Sequence, residues 1–135
     1  MKELIVVASI DNLRSVTDFV DEQLESMGCP IKAQMQVDIA VDELFSNIAY
    51  YAYAPGTGTA AIQVEPLLSP SGVILRFIDS GVPYDPLAGE DPDTTLSAEE
   101  RQIGGLGIYM VKKSMDEVSY EYRDGKNILT IKKLF

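Results

Sequence analysis

The chain has 135 residues, 46% of them hydrophobic and 24% charged, which predicts one globular domain over residues 1–135 with enough core to fold unaided. A formal net charge of -10 argues against direct nucleic-acid binding, which needs a basic footprint. The absence of histidine excludes any catalytic, metal-binding or phosphorylated histidine within the chain. One cysteine, Cys29, makes no internal disulfide, and no apolar run has the length of a membrane span or signal peptide, so a cytoplasmic location without membrane contact is expected.

Leu4 to Ala8 form a short apolar run that reads as a strand. Asp11 or Asn12 then caps a helix whose apolar stripe is Leu13, Val16, Val20, Leu24 and Met27, a 3.6-residue period ended by Gly28 and Pro30. A second helix turns Val37, Val41, Leu44 and Ile48 to the core, with Ala40, Glu43, Asn47 and Tyr50 on the neighbouring stripe, and breaks at Pro55, Gly56 and Gly58. Ile62 and Val64 alternate with Gln63 and Glu65, and a Ser-Pro-Ser-Gly turn leads into the nearly continuous apolar run Gly72–Asp79, which reads as a central strand.

Residues 85–103 are polar and acidic, interrupted by Pro86 and Pro92, and read as a mobile loop, with Ser97 and Glu100 forming a capping box for a short helical turn. Ile108, Val111, Met115 and Val118 share one helical face. Val118, Tyr120 and Tyr122 alternate with polar residues, Asp124-Gly125 marks a turn, and Asn127–Leu134 returns as the paired strand. The order predicts an α+β two-layer sandwich: a mixed, mostly antiparallel sheet with helices on one face.

Three segments carry chemistry. In Asp42–Asn47 (DELFSN), Glu43 and Asn47 lie four residues apart and so one above the other on a helix. Taken alone they are an ordinary exposed polar pair. At the edge of an apolar face, however, the carboxylate is placed to orient or deprotonate an attacking hydroxyl, and the amide oxygen to ligate a magnesium ion shared with phosphates. In Phe77–Pro86 (FIDSGVPYDP), Asp79 ends the apolar strand. It reads either as plain turn chemistry or as an acceptor for an exocyclic amine such as that of adenine, with Gly81 allowing close approach of the base.

The third segment sets Gly104, Gly105, Leu106 and Gly107 before an amphipathic helix, where free backbone N–H groups hold phosphate. No Gly-Lys-Ser/Thr follows, so it is not a P-loop. Arg101, three residues earlier, is placed to reach a terminal phosphate, whereas Lys112 and Lys113 read as solvated. Tyr50, Tyr51 and Tyr53 are expected to pack against the core, or one of them to wall a base pocket. Cys29 reads as inert.

In this order the three segments resemble the N box and the two glycine boxes of the GHKL ATP-binding superfamily, which includes gyrase, histidine kinases and MutL. The compact length and Pro83-Tyr84-Asp85-Pro86 resemble, within it, the anti-sigma-factor serine/threonine kinases of bacteria. The resemblance runs from about Asp38 to the C-terminus. It implies a Bergerat-type fold, ATP and Mg2+ as cofactors, Glu43 as general base and Asn47 as magnesium ligand. It further implies Asp79 with Gly81 at adenine, Gly104, Gly105 and Gly107 at the triphosphate, and residues 86–103 as a lid. The family binds a sigma factor, phosphorylates a STAS-type anti-anti-sigma protein, and often forms homodimers. One departure stands out: Tyr51 lies near the place where the family often has a histidine. A catalytically idle, nucleotide-responsive binding module is the alternative reading. A histidine-kinase fragment ranks last because the chain has no histidine.

Overall fold

The computed structural model describes residues 1–88 and 106–135. Strands β1 (Lys2–Val7), β2 (Thr59–Leu68), β3 (Ser71–Asp79), β4 (Glu117–Arg123) and β5 (Lys126–Leu134) form one sheet in the order β1-β2-β3-β5-β4. Every pairing is antiparallel. Helices α1 (Leu13–Ser26), α2 (Ile31–Asn47) and α3 (Leu106–Ser114) supply the other layer. The expected two-layer α+β sandwich is therefore found, with β3 at the centre of the sheet. No helix among the described residues is long and apolar enough to cross a membrane.

Periodicity explains which side chains meet. Val16, Val20 and Leu24 of α1, and Val37, Val41 and Leu44 of α2, are buried, together with Phe45. They face Ala60, Ile62 and Val64 of β2, Val73, Leu75 and Phe77 of β3, and Leu129 and Ile131 of β5, in a single cluster. Complete burial of a side chain such as Phe45, Phe77 or Leu75 contributes about 1.5–3 kcal/mol. Because a strand repeats every two residues, the inward stripe of β3 continues from Val73, Leu75 and Phe77 to Asp79, and that of β5 runs back from Ile131 and Leu129 to Asn127. The two apolar stripes thus end side by side in a polar pair, since Asp79 and Asn127 are register partners.

Several local expectations need correction. A 3-10 turn at Ile10–Asn12 precedes α1, and its cap is Ser9, whose Oγ accepts the Asp11 N–H at 3.2 Å. Asn12 stands at the start of α1 without capping it; its Nδ2 donates instead to the Val7 carbonyl at 2.9 Å, tying the end of β1 to the helix. Val118 lies in β4, because α3 ends at Ser114. Beyond Asn47, α2 widens into a π-helical turn, Ile48–Ala52. Tyr50 and Tyr51 on that turn are exposed, their rings 6.3 Å apart, and do not pack into the core. The loop over residues 85–103 is described only to residue 88, where Asp85 Oδ1 accepts the Leu87 N–H at 2.8 Å. Ser97 and Glu100 lie outside the described residues.

Candidate nucleotide site

Glu43 and Asn47 sit on the last turns of α2, where the helical repeat stacks them as expected, and Asn47 Nδ2 donates to Glu43 Oε1 at 3.4 Å. That contact uses the amide nitrogen, and no described residue donates to Asn47 Oδ1. Opposite Glu43 is the first turn of α3. A Cβ on Gly107 would lie 2.2 Å from Glu43 Cδ, so the glycine is what lets α3 start against the carboxyl group. A carboxylate is favoured at a helix N-terminus by the helix dipole and its unpaired N–H groups. Leu106 is the first residue of α3 and is half exposed.

The end of β3 reaches the same region through the turn after α2. A Cβ on Gly81 would stand 2.2 Å from the Ala52 carbonyl oxygen, and the Val82 N–H donates to that oxygen at 3.0 Å. Gly81 is therefore required by the backbone of Ile48–Ala52, a role its sequence context did not indicate. Tyr53 braces the junction, its hydroxyl donating to the Thr59 carbonyl at 2.6 Å and accepting the Ser80 N–H at 2.7 Å. So one of the three tyrosines expected in packing roles works instead through its hydroxyl.

Asp79 is 6% exposed. Its Oδ1 accepts the Gly81 N–H and Asn127 Nδ2, both at 2.9 Å, while no described residue donates to Oδ2. Asn127 and Tyr120 escaped sequence reasoning. The signal for Asn127 was its place two residues before Leu129 and four before Ile131, which puts a polar side chain on the buried face of β5. Burial and the charges of Asp85 and Asp79 push the Tyr120 phenol above its usual pKa, against a lowering contribution from the Tyr84 backbone.

The structure brings together Glu43, Asn47, Gly107 and Leu106, and joins the turn after Asn47 to the Asp79–Gly81 segment. Arg101, Gly104 and Gly105 lie outside the described residues. Lys113 Nζ stands 5.5 Å from the centre of the Tyr109 ring. Cys29, half-buried, has its thiol pKa raised by burial and then by the Asp38 charge, in keeping with an inert thiol.

Comparison with known proteins matches residues 6–133 to the family described as the histidine kinase-like ATPase domain. The chain belongs to this family. Among the relatives of this histidine kinase-like ATPase domain is the serine/threonine-protein kinase BtrW of Bordetella bronchiseptica, 32% identical over 100 residues, which cover 74% of this chain and 70% of the relative. The serine-protein kinase RsbW of Listeria monocytogenes serovar 1/2a is 28% identical over 109 residues, 78% of this chain and 69% of the relative. The RsbW of Listeria innocua is 27% identical over a stretch of the same length.

Proposed function

We propose that this chain is an ATP- and magnesium-dependent protein serine/threonine kinase of the cytoplasm that acts as an anti-sigma factor and phosphorylates a STAS-type anti-anti-sigma partner, as a homodimer. The observation that carries the reading is the meeting of the Glu43–Asn47 turn, the Asp79–Gly81 segment and the start of α3 in a chain of this family. The printed names of the relatives support a kinase acting on serine or threonine.

In this reading Asp79 Oδ2 accepts the exocyclic amine of adenine. Gly107 and Leu106, with Gly104, Gly105 and Arg101, hold the phosphates. Asn47 fits a magnesium ligand because its nitrogen is engaged by Glu43 while no described residue donates to its oxygen; magnesium is content with few protein oxygens. A magnesium ion held there by Asn47 would neutralise charge on the phosphates. Glu43 takes the proton from the partner's seryl or threonyl Oγ as that oxygen bonds to the terminal phosphorus. The bond from phosphorus to the bridging oxygen breaks, and ADP leaves with the electron pair. Positioning and charge neutralisation supply most of the rate.

The test is to mix the protein with Mg-ATP and candidate STAS proteins and to read phosphoserine or phosphothreonine on the partner by mass spectrometry. Glu43→Gln is expected to lower transfer about 10²- to 10⁴-fold while nucleotide affinity stays within about threefold. Transfer unaffected by the substitution removes Glu43 from the role of base. Nucleotide binding without transfer to any STAS protein supports the idle binding module instead.

A further inference from the structure

The Asp79 carboxylate is not free to exchange one oxygen for the other. Its Oδ1 already receives two donors, the Gly81 N–H and the Asn127 side chain. Asn127 in turn has every hydrogen-bonding place filled. Besides Asp79, its Nδ2 donates to the Val82 carbonyl at 2.9 Å, and its Oδ1 accepts the Tyr84 N–H at 3.1 Å and the Tyr120 hydroxyl. An amide has two donors and two acceptor sites, so none is left over. Turning the amide over would set its oxygen against the Asp79 carboxylate and the Val82 carbonyl, and its NH2 against the Tyr84 N–H. Those contacts admit one orientation only, and at 7% exposure water offers little alternative.

We propose that Asn127, oriented by the Tyr120 hydroxyl, is a positioning residue that occupies Asp79 Oδ1 and so presents Oδ2 as the sole acceptor for a 6-aminopurine. The inference rests on the reading of Asp79 as the base-recognising residue and adds how its selectivity arises. A 6-amino group donates to Oδ2. A 6-keto group sets acceptor against acceptor there, and the amide clamp denies the carboxylate the rotation or the bridging water that would relieve the conflict.

The decisive variant is Asn127→Asp, which keeps the shape and exchanges the donor for a second acceptor. The full chain is titrated with ADP and GDP in the presence of magnesium, from pH 5.5 to pH 8, beside the wild type and Asp79→Ala. Expected for N127D at pH 8 is a loss of ADP affinity of about 10- to 100-fold, with the ADP/GDP preference reduced. The affinity recovers toward the wild-type value at pH 5.5, where the carboxyl introduced by the substitution is protonated and again donates to Asp79. A purely structural role would lower the melting temperature without that pH-dependent rescue. Tyr120→Phe, a milder change suited to the case in which N127D does not fold, is expected to weaken ADP by about 3- to 10-fold and to narrow the preference. If D79A loses ADP while folded N127D or Y120F binds like the wild type with the same preference, the clamp is refuted and the Asp79 reading survives. If D79A binds ADP normally, both fall together.

Discussion

At Gly107 and Gly81 a missing side chain does opposite kinds of work, and substitution separates them. The Cβ of Gly107→Ala would meet the Glu43 carboxyl, the far end of a flexible side chain that can swing aside. Alanine is also better than glycine in a helix by about 1 kcal/mol. The variant is therefore expected to keep or raise its melting temperature while, on the proposed role of Glu43 as base, phosphotransfer falls about tenfold or more. Full transfer in this variant would show that Glu43 does not work from this position. The Cβ of Gly81→Ala would meet the Ala52 carbonyl, which is backbone and cannot step aside. Overpacking of that kind costs about 1–3 kcal/mol, so a drop of several degrees in a thermal melt is expected. An unchanged melting temperature would mean that the turn after α2 yields easily.

Between elements, the α1–α2 contact holds a second carboxyl pair that hydropathy patterns do not reveal. Asp38 of α2 faces Asp21 of α1, and each has a buried Oδ1 that no donor reaches among the described residues. A proton kept on the Asp38 carboxyl supplies a hydrogen bond toward Asp21. The Asp38 carboxyl is accordingly pushed up to about 7, by burial first, then by the hydrogen bond and charge of Asp21 and the charge of Glu25. Because this folded-state value exceeds the ordinary carboxylate value, the folded protein keeps a proton that the unfolded chain releases above about pH 4. The stabilisation is full below that pH and is lost as pH rises through about 7. Wild-type melting temperature should thus decline from pH 5 to pH 8. Asp38→Asn, whose amide donates to Asp21 at every pH, should flatten that decline and be the more stable protein at pH 8. Parallel pH profiles for the two proteins would rule out a proton retained on Asp38.

For the whole molecule, the sheet and the helical layer are joined by one core, while the candidate site lies where α2, β3 and α3 meet. A ligand bridging those elements stabilises the native state as a unit. Nucleotide at a hundred times its dissociation constant should add roughly 2.7 kcal/mol. The gain is expected with ATP and ADP, to depend on magnesium, and to be small with GTP. No shift at millimolar nucleotide would leave a protein-interaction module that kept only the fold. The architecture itself was legible from periodicity. The stripes Val16–Val20–Leu24 and Val37–Val41–Leu44 are buried as their spacing demands, and the apolar run ending at Asp79 is the central strand. Harder to read were helix ends, where Asn12 turned its amide to Val7 and α2 passed into a π turn. At Asn12 a side-chain bond to the strand five residues back replaces the cap, and after α2 the Ala52 carbonyl is held by the distant Val82 N–H.

Local information sufficed for the stacking of Glu43 on Asn47, since a helix brings residues four apart together wherever it forms. It also placed Asp79 at the end of the nearly continuous apolar run that reads as the central strand. The partners themselves were decided by tertiary structure alone. Asn127 meets Asp79 across 48 residues of sequence, through the pairing of β3 with β5. Tyr120 reaches Asn127 only because β4 folds back on β5, Gly107 meets Glu43 only because α3 docks against α2, and Asp21 finds Asp38 only where α1 lies beside α2. Register and docking are set by the summed burial of many distant side chains, so they are written in no single segment.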